Sequence, residues 1–118
     1  MTSGYDLDPT TPAVVALQAR YSTRSDEAAH MPRAQLDLAY GSVPRQQLDI
    51  FPAGPNDPVL VFIHGGYWKA GSKDSRRFPA LEWSRRKVSW VCLNYRLLPQ
   101  ATLSDAVEDV RAAVLWLV

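Results

Sequence analysis

The run Val59-Leu60-Val61-Phe62-Ile63-His64-Gly65-Gly66-Tyr67-Trp68 decides the fold. Its first five residues are all apolar and rich in β-branched side chains. Such a run predicts a strand buried on both faces, as in a parallel sheet covered by helices. The strand stops at His64-Gly65-Gly66. Two glycines permit backbone angles that other residues disfavour and project no side chain, so another molecule can approach the main chain closely.

Downstream, Ser75 to Arg86 carries Phe78, Leu81 and Trp83 among charges, with Pro79 in its first turn, and predicts a helix. Val88 to Leu93 predicts a second buried strand, and Asn94-Tyr95-Arg96-Leu97-Leu98-Pro99 leaves it as a loop. Thr102 with Asp105 forms a capping-box-like start. Leu103, Val107, Val110, Val114 and Leu117 then recur at spacings of four and three, predicting an amphipathic helix packed on a sheet. Asp105, Glu108 and Asp109 on that helix read as a solvated face.

Upstream, the turn-rich Pro52 to Pro58 precedes the decisive strand. Before it, Leu36, Leu38 and Tyr40 alternate with polar or small residues, and Gln47 to Phe51 forms a second short run. Gly-Ser-Val-Pro-Arg lies between them, so the pair reads as a β-hairpin with one wet face. Pro12 suits a first helical position, with Val14, Val15, Leu17 and Tyr21 as a loose apolar face. Ser25-Asp26-Glu27 either continues that helix or begins another. Residues 1 to about 11 read as a flexible arm. The predicted order is helix, strand, strand, strand, helix, strand, helix, an α/β pattern. It divides into an arm and helix over 1–35 and an α/β domain over 36–118.

His64-Gly65-Gly66-Tyr67-Trp68 matches the HGGxW signature of the kynurenine formamidase branch of α/β-hydrolases, which lies close to the hormone-sensitive-lipase-like esterases. Three further segments resemble the same family in the same order. They are Tyr40-Gly41 with Leu48-Asp49-Ile50-Phe51, then Asn94 to Pro99, then Asp105 to Val110 with Ala112, Ala113 and Trp116. The resemblance spans about residues 36 to 118. It implies a sheet whose order begins 1-2-4-3-5. It also implies an oxyanion hole at Gly65, Gly66 and Tyr67: Gly66 and Tyr67 supply backbone N–H groups and Gly65 permits the turn. His64 would orient the loop through its ring, and Trp68 would pack under the loop or beside the acyl pocket.

The same family places its nucleophile in G-x-S-x-G, followed by an acid and then a histidine. No G-x-S-x-G occurs here, and His30 and His64 both precede the position of a late general base. The resemblance therefore implies an amino-terminal part of a serine hydrolase acting on carboxylic esters or aryl formamides. This part has no catalytic residue of its own and is inactive alone. The alternative is a non-catalytic remnant, or a module that binds a partner or itself through the open strand edge 59–63.

Composition narrows the rest. The chain has 118 residues, 47% of them hydrophobic, and a formal net charge of +1. That is a globular composition with no electrostatic case for nucleic acid or an anionic membrane. The clusters Arg76-Arg77 and Arg85-Arg86-Lys87 read as solvated faces. The single cysteine, Cys92, sits between Val91 and Leu93 and reads as a small buried hydrophobe. One cysteine and two histidines give no recognisable zinc spacing, and no cofactor is expected. Gly66 to Lys73 mimics a phosphate loop, but its Ser-Lys order reverses the Lys-Ser such a loop needs. No apolar run approaches the roughly 18 residues of a membrane span. The first residues lack a secretory pattern, so a cytoplasmic location is expected.

Overall fold

A computed structural model describes residues 10–118. All but the last two residues of the expected arm lie outside them. Helix α1 spans Pro12–Ala29, with Pro12 at its start and Thr11 accepting a hydrogen bond from the Val14 amide. Ser25-Asp26-Glu27 thus continues the first helix. Strands β1 (Gln35–Ala39) and β2 (Gln47–Phe51) pair antiparallel as the predicted hairpin. β3 (Val59–Ile63) and β4 (Ser89–Leu93) pair in parallel, and β4 also pairs antiparallel with β2. The sheet order is β1-β2-β4-β3.

β4 is buried along its whole length because it lies between β2 and β3. Its side chains alternate between two cores. Val91 and Leu93 join Leu48, Tyr40, Tyr95, Ala106 and Ala113 on the face covered by α3 (Leu103–Leu117). Trp90 and Cys92 join Phe51, Ala28 and Ala80 on the opposite face, under α1 and α2 (Ala80–Trp83). Cys92 is fully buried, as expected.

Five expectations need correction. The predicted helix over 75–86 is three short pieces: a 3-10 turn at Lys73–Arg76, α2, and a 3-10 turn at Ser84–Arg86. Pro79, which has no amide hydrogen to donate, sits at the join between them. β3 is not buried on both faces: Val59, Leu60 and Ile63 are 55%, 40% and 41% exposed. Periodicity reports that a strand is apolar throughout, not that something covers it. Among the described residues β3 is an edge strand.

Helix α3 packs on the sheet as predicted, with Val110 and Leu117 against the core, but only part of the predicted face is covered. Leu103, Val107 and Val114 are exposed, while Ala106, Asp109 and Ala113 are buried. The small alanines let the helix lie close to Leu93 and Tyr95. The predicted capping box at Thr102 and Asp105 is present in both directions. Asp109 leaves the solvated group altogether. Its carboxylate takes hydrogen bonds from the Arg96 guanidinium and amide and from Gln46. Burial alone would raise its pKa, yet the Arg96 and Gln46 donors hold it below the usual carboxylate range.

Arg77 is likewise not a solvated residue. On the Cys92 face of the sheet, Asp49 is fully buried and meets Lys73 at 2.9 Å and Arg77 at 2.7 Å. A bulge in β1 brings Asp37 into the same cluster. Its φ is 56°, which aspartate tolerates better than most residues. Its amide donates to Asp49, and its carboxylate pairs with Lys73 and Arg77. The Lys73 ammonium, 1% exposed and bound to Asp37, Asp49 and Asp74, is closed off from any phosphate.

Candidate functional site

The segment after β3 is held by its carbonyls. Tyr95 Oη donates to the His64 carbonyl at 2.9 Å, and the His64 ring approaches the Gly65 carbonyl at 2.8 Å. The Gly66 carbonyl accepts from the amides of Lys69 and Ala70. A trans peptide is planar, so its N–H points opposite to its C=O. With three successive carbonyls tied down, the N–H groups of Gly65, Gly66 and Tyr67 are turned the other way. Among the described residues the Gly66 and Tyr67 amides meet no acceptor.

The backbone here is strained. Gly66, Tyr67 and Trp68 have φ of 124°, 55° and 63°. Two successive non-glycine residues in the left-handed region are costly, of order 1–3 kcal/mol each, and need a surrounding structure that enforces them. Glycine is needed at Gly66, where a Cβ would fall onto the Ala70 carbonyl. Gly65, expected to permit the turn, has no positive φ, and a Cβ there would meet nothing within 4 Å. The turn is therefore made one residue later than the sequence suggests. Gly71 is also required, since a Cβ there would lie 2.6 Å from the Gly65 carbonyl and 2.7 Å from His64 Nδ1.

The loop after β4 enforces this geometry. Asn94 Oδ1 accepts from the Lys73 amide, and the Leu98 amide donates to the Trp68 carbonyl. Tyr95 stacks on the His64 ring at 4.4 Å and meets Trp68 at 4.9 Å. Trp68 packs on the α3-side core, whereas Tyr67 is 76% exposed. His64 is buried, and burial lowers its pKa, helped by the nearby Arg45 and Arg76 charges against the Gly65 hydrogen bond. Its imidazole is neutral at ordinary pH. The second histidine, His30, caps α1 and bonds the Asp26 carbonyl. Neither ring hydrogen-bonds a serine hydroxyl among the described residues.

The five residues singled out in the sequence, His64 to Trp68, thus form one strained, anchored turn at the end of β3. Asn94 and Tyr95 lie in a segment the sequence marks by resemblance, but their roles as anchors emerge only from tertiary contacts. Arg45 carries no sequence signal beyond its place in the hairpin connection.

A parallel β3–β4 pair with intervening helical turns, a hairpin on one flank, and a glycine turn leaving the β3 end define an α/β-hydrolase sheet. The BD-FAE family profile matches residues 48–118, and the chain belongs to this family. It is 36% identical over 80 residues to an isoprenylcysteine alpha-carbonyl methylesterase of Arabidopsis thaliana, covering 65% of this chain and 19% of the relative. It is 27% identical over 93 residues to a kynurenine formamidase of Danio rerio, covering 76% and 32%. Among solved structures, a Silicibacter protein superposes with a TM-score of 0.82 at 25% identity, over 94% of this chain and 44% of its own. Phosphonate-inhibited esterase B from Lactobacillus rhamnosis superposes with a TM-score of 0.63 at 25% identity, over 89% and 38%. The chain thus spans about a fifth to a third of these curated relatives' length.

Proposed function

We propose that residues 64–68 are the oxyanion loop of a serine hydrolase cleaving carboxylic esters or aryl formamides, and that the attacking serine, its histidine and its acid lie outside these 118 residues. The observation that carries this reading is the pair of Gly66 and Tyr67 amides, unpaired among the described residues and fixed by the tethered carbonyls beside them. Negative charge develops on a carbonyl oxygen under attack, and fixed N–H donors stabilise it without reorganising. His64 acts as a buried support and Trp68 as packing, while Gly65 leaves the approach open. The reactant is a small-molecule ester or amide in the intact enzyme, in the cytoplasm, and this chain alone has no catalytic residue.

The test has two arms. The 118-residue chain should hydrolyse p-nitrophenyl acetate no faster than background. A chimera of esterase B from Lactobacillus rhamnosis, with the segment that superposes on residues 35–118 replaced by them, should keep kcat within about tenfold of the parent, because the donors and the residues that hold them are carried over together. Turnover by the chain alone, or a well-folded but dead chimera, would contradict the reading.

A second reading, self-association through β3, is favoured by the exposure of Val59, Leu60 and Ile63 on an edge strand. Such edges recruit further strands. Sedimentation velocity should show concentration-dependent oligomers for the native chain and fewer for Leu60→Lys, since an edge lysine opposes pairing. A native chain that stays monomeric across the concentration range would remove this reading.

A further inference from the structure

We propose that Arg45 is a positioning residue that selects the His64 tautomer and thereby fixes the Gly66 amide. The inference deepens the oxyanion reading above and rests on it only for the purpose the amide serves. Arg45 sits in the β1–β2 connection, yet its guanidinium reaches three separate segments. Nε donates to the Tyr95 carbonyl at 3.1 Å. One terminal nitrogen donates to the Gly71 carbonyl at 3.1 Å and lies 3.3 Å from His64 Nε2.

The chemistry leaves one assignment. A guanidinium has N–H donors and no acceptor, so His64 Nε2 must be the acceptor. In a neutral imidazole the proton then resides on Nδ1. Nδ1–H donates to the Gly65 carbonyl at 2.8 Å. Holding that carbonyl turns the next N–H, that of Gly66, to the opposite side of the peptide plane. The chain of cause runs from a hairpin side chain, through one ring, to the amide of the turn.

The charged and titratable groups around the ring are consistent with this state. They are Arg45 from the hairpin connection, Arg76 from the 3-10 turn and Tyr95 from the loop after β4. Both arginines disfavour an imidazolium. Tyr95 Oη donates to the His64 carbonyl at 2.9 Å and lies 3.5 Å from Nδ1, so it does not compete for Nε2. Gly71, with no Cβ, leaves room for the ring and for the Gly65 carbonyl that the ring holds.

Nitrogen-15 NMR of the imidazole in the 118-residue chain tests the assignment. At about pH 8, where the imidazole is neutral, Nδ1 in the native chain should carry the proton and Nε2 none. Arg45→Met should yield a mixture of tautomers and an upward shift of the His64 titration. It should also lower the Gly66 and Tyr67 amide order parameters from about 0.85 to below about 0.6. Arg45→Lys keeps the charge but cannot bridge three acceptors, so its loop should be nearly as mobile while its titration shifts less.

The Trp90 indole N–H, bonded to the Arg76 carbonyl, reports retained folding. Should Arg45→Met fail to fold, the native tautomer and the Lys variant decide. A native His64 protonated on Nε2, or folded variants with unchanged tautomer and order parameters, would overturn the proposal. Such a result leaves the hydrolase reading standing. A dead chimera with the Nδ1–H tautomer intact would overturn that reading and leave Arg45's role in place.

Discussion

Gly66→Ala in the esterase chimera should lower kcat by about 10²–10³ with a much smaller change in KM, the loss expected when an oxyanion donor is misplaced. The cause is local. A methyl group at position 66 falls onto the Ala70 carbonyl, and φ of 124° is strained for any residue with a Cβ. The turn must open, and the Gly66 and Tyr67 amides leave their fixed directions. In the 118-residue chain the same change should cost about 2–3 kcal/mol in urea unfolding, the range for enforced backbone strain. Gly65→Ala is the control. Its Cβ meets nothing within 4 Å at an ordinary φ, so stability should stay within about 0.5 kcal/mol. Equal stability losses at the two glycines would contradict the geometry of the turn.

The second large effect should come from Asp49→Ala, a loss of about 3 kcal/mol in stability by chemical denaturation. Asp49 is fully buried and supplies the deepest counter-charge for Lys73 and Arg77. Removing it leaves two cations that cannot return to water, although Asp37 and Asp74 partly compensate. For a domain with a total stability of only about 5–15 kcal/mol, that is a severe loss.

The same residue makes the fold acid-sensitive. Burial pushes the Asp49 pKa up, but the Arg77 guanidinium, the Asp37 amide and the Lys73 ammonium outweigh it and hold the carboxyl below its usual value of 3.8. A depressed folded pKa contributes stability that is complete above the unfolded value. That stability is lost as pH falls below about 4 and through the folded value. Asp109, held down by Arg96 and Gln46, acts in the same direction. Unfolding midpoints in urea should therefore decline below about pH 4, and decline less steeply in Asp49→Ala. An equally steep decline in the variant would place the acid sensitivity elsewhere.

The hairpin, the two parallel strands and the capping box were legible because each depends on local pattern: alternation, an unbroken apolar run, a cap and its partner three residues on. The exposure of β3 and of Leu103, Val107 and Val114 in α3 was not, because coverage depends on what lies outside an element. Val59 and Val91 look alike in sequence, and only their neighbours in space differ. Arg77 and Asp109 read as solvated charges, and nothing marked Asp49 or Lys73 as their buried counterparts, since an ion pair spanning about 13 to 40 residues of chain leaves no periodic trace. The segment His64 to Trp68 was legible as a motif. The strain was not: sequence placed the freedom at both glycines, whereas it is used at Gly66 and extended through Tyr67 and Trp68. The hairpin arginine was invisible because its partners come from three other segments.

The most direct measurement is a crystal structure of the chimera inhibited by a phosphonate, the inhibitor class already seen with esterase B from Lactobacillus rhamnosis. The phosphonyl oxygen should lie about 3 Å from both the Gly66 and Tyr67 nitrogens, with the Gly65 carbonyl still turned toward His64. A phosphonyl oxygen held by other donors, with these two amides facing solvent or rotated into the protein, would contradict the assignment of residues 64–68.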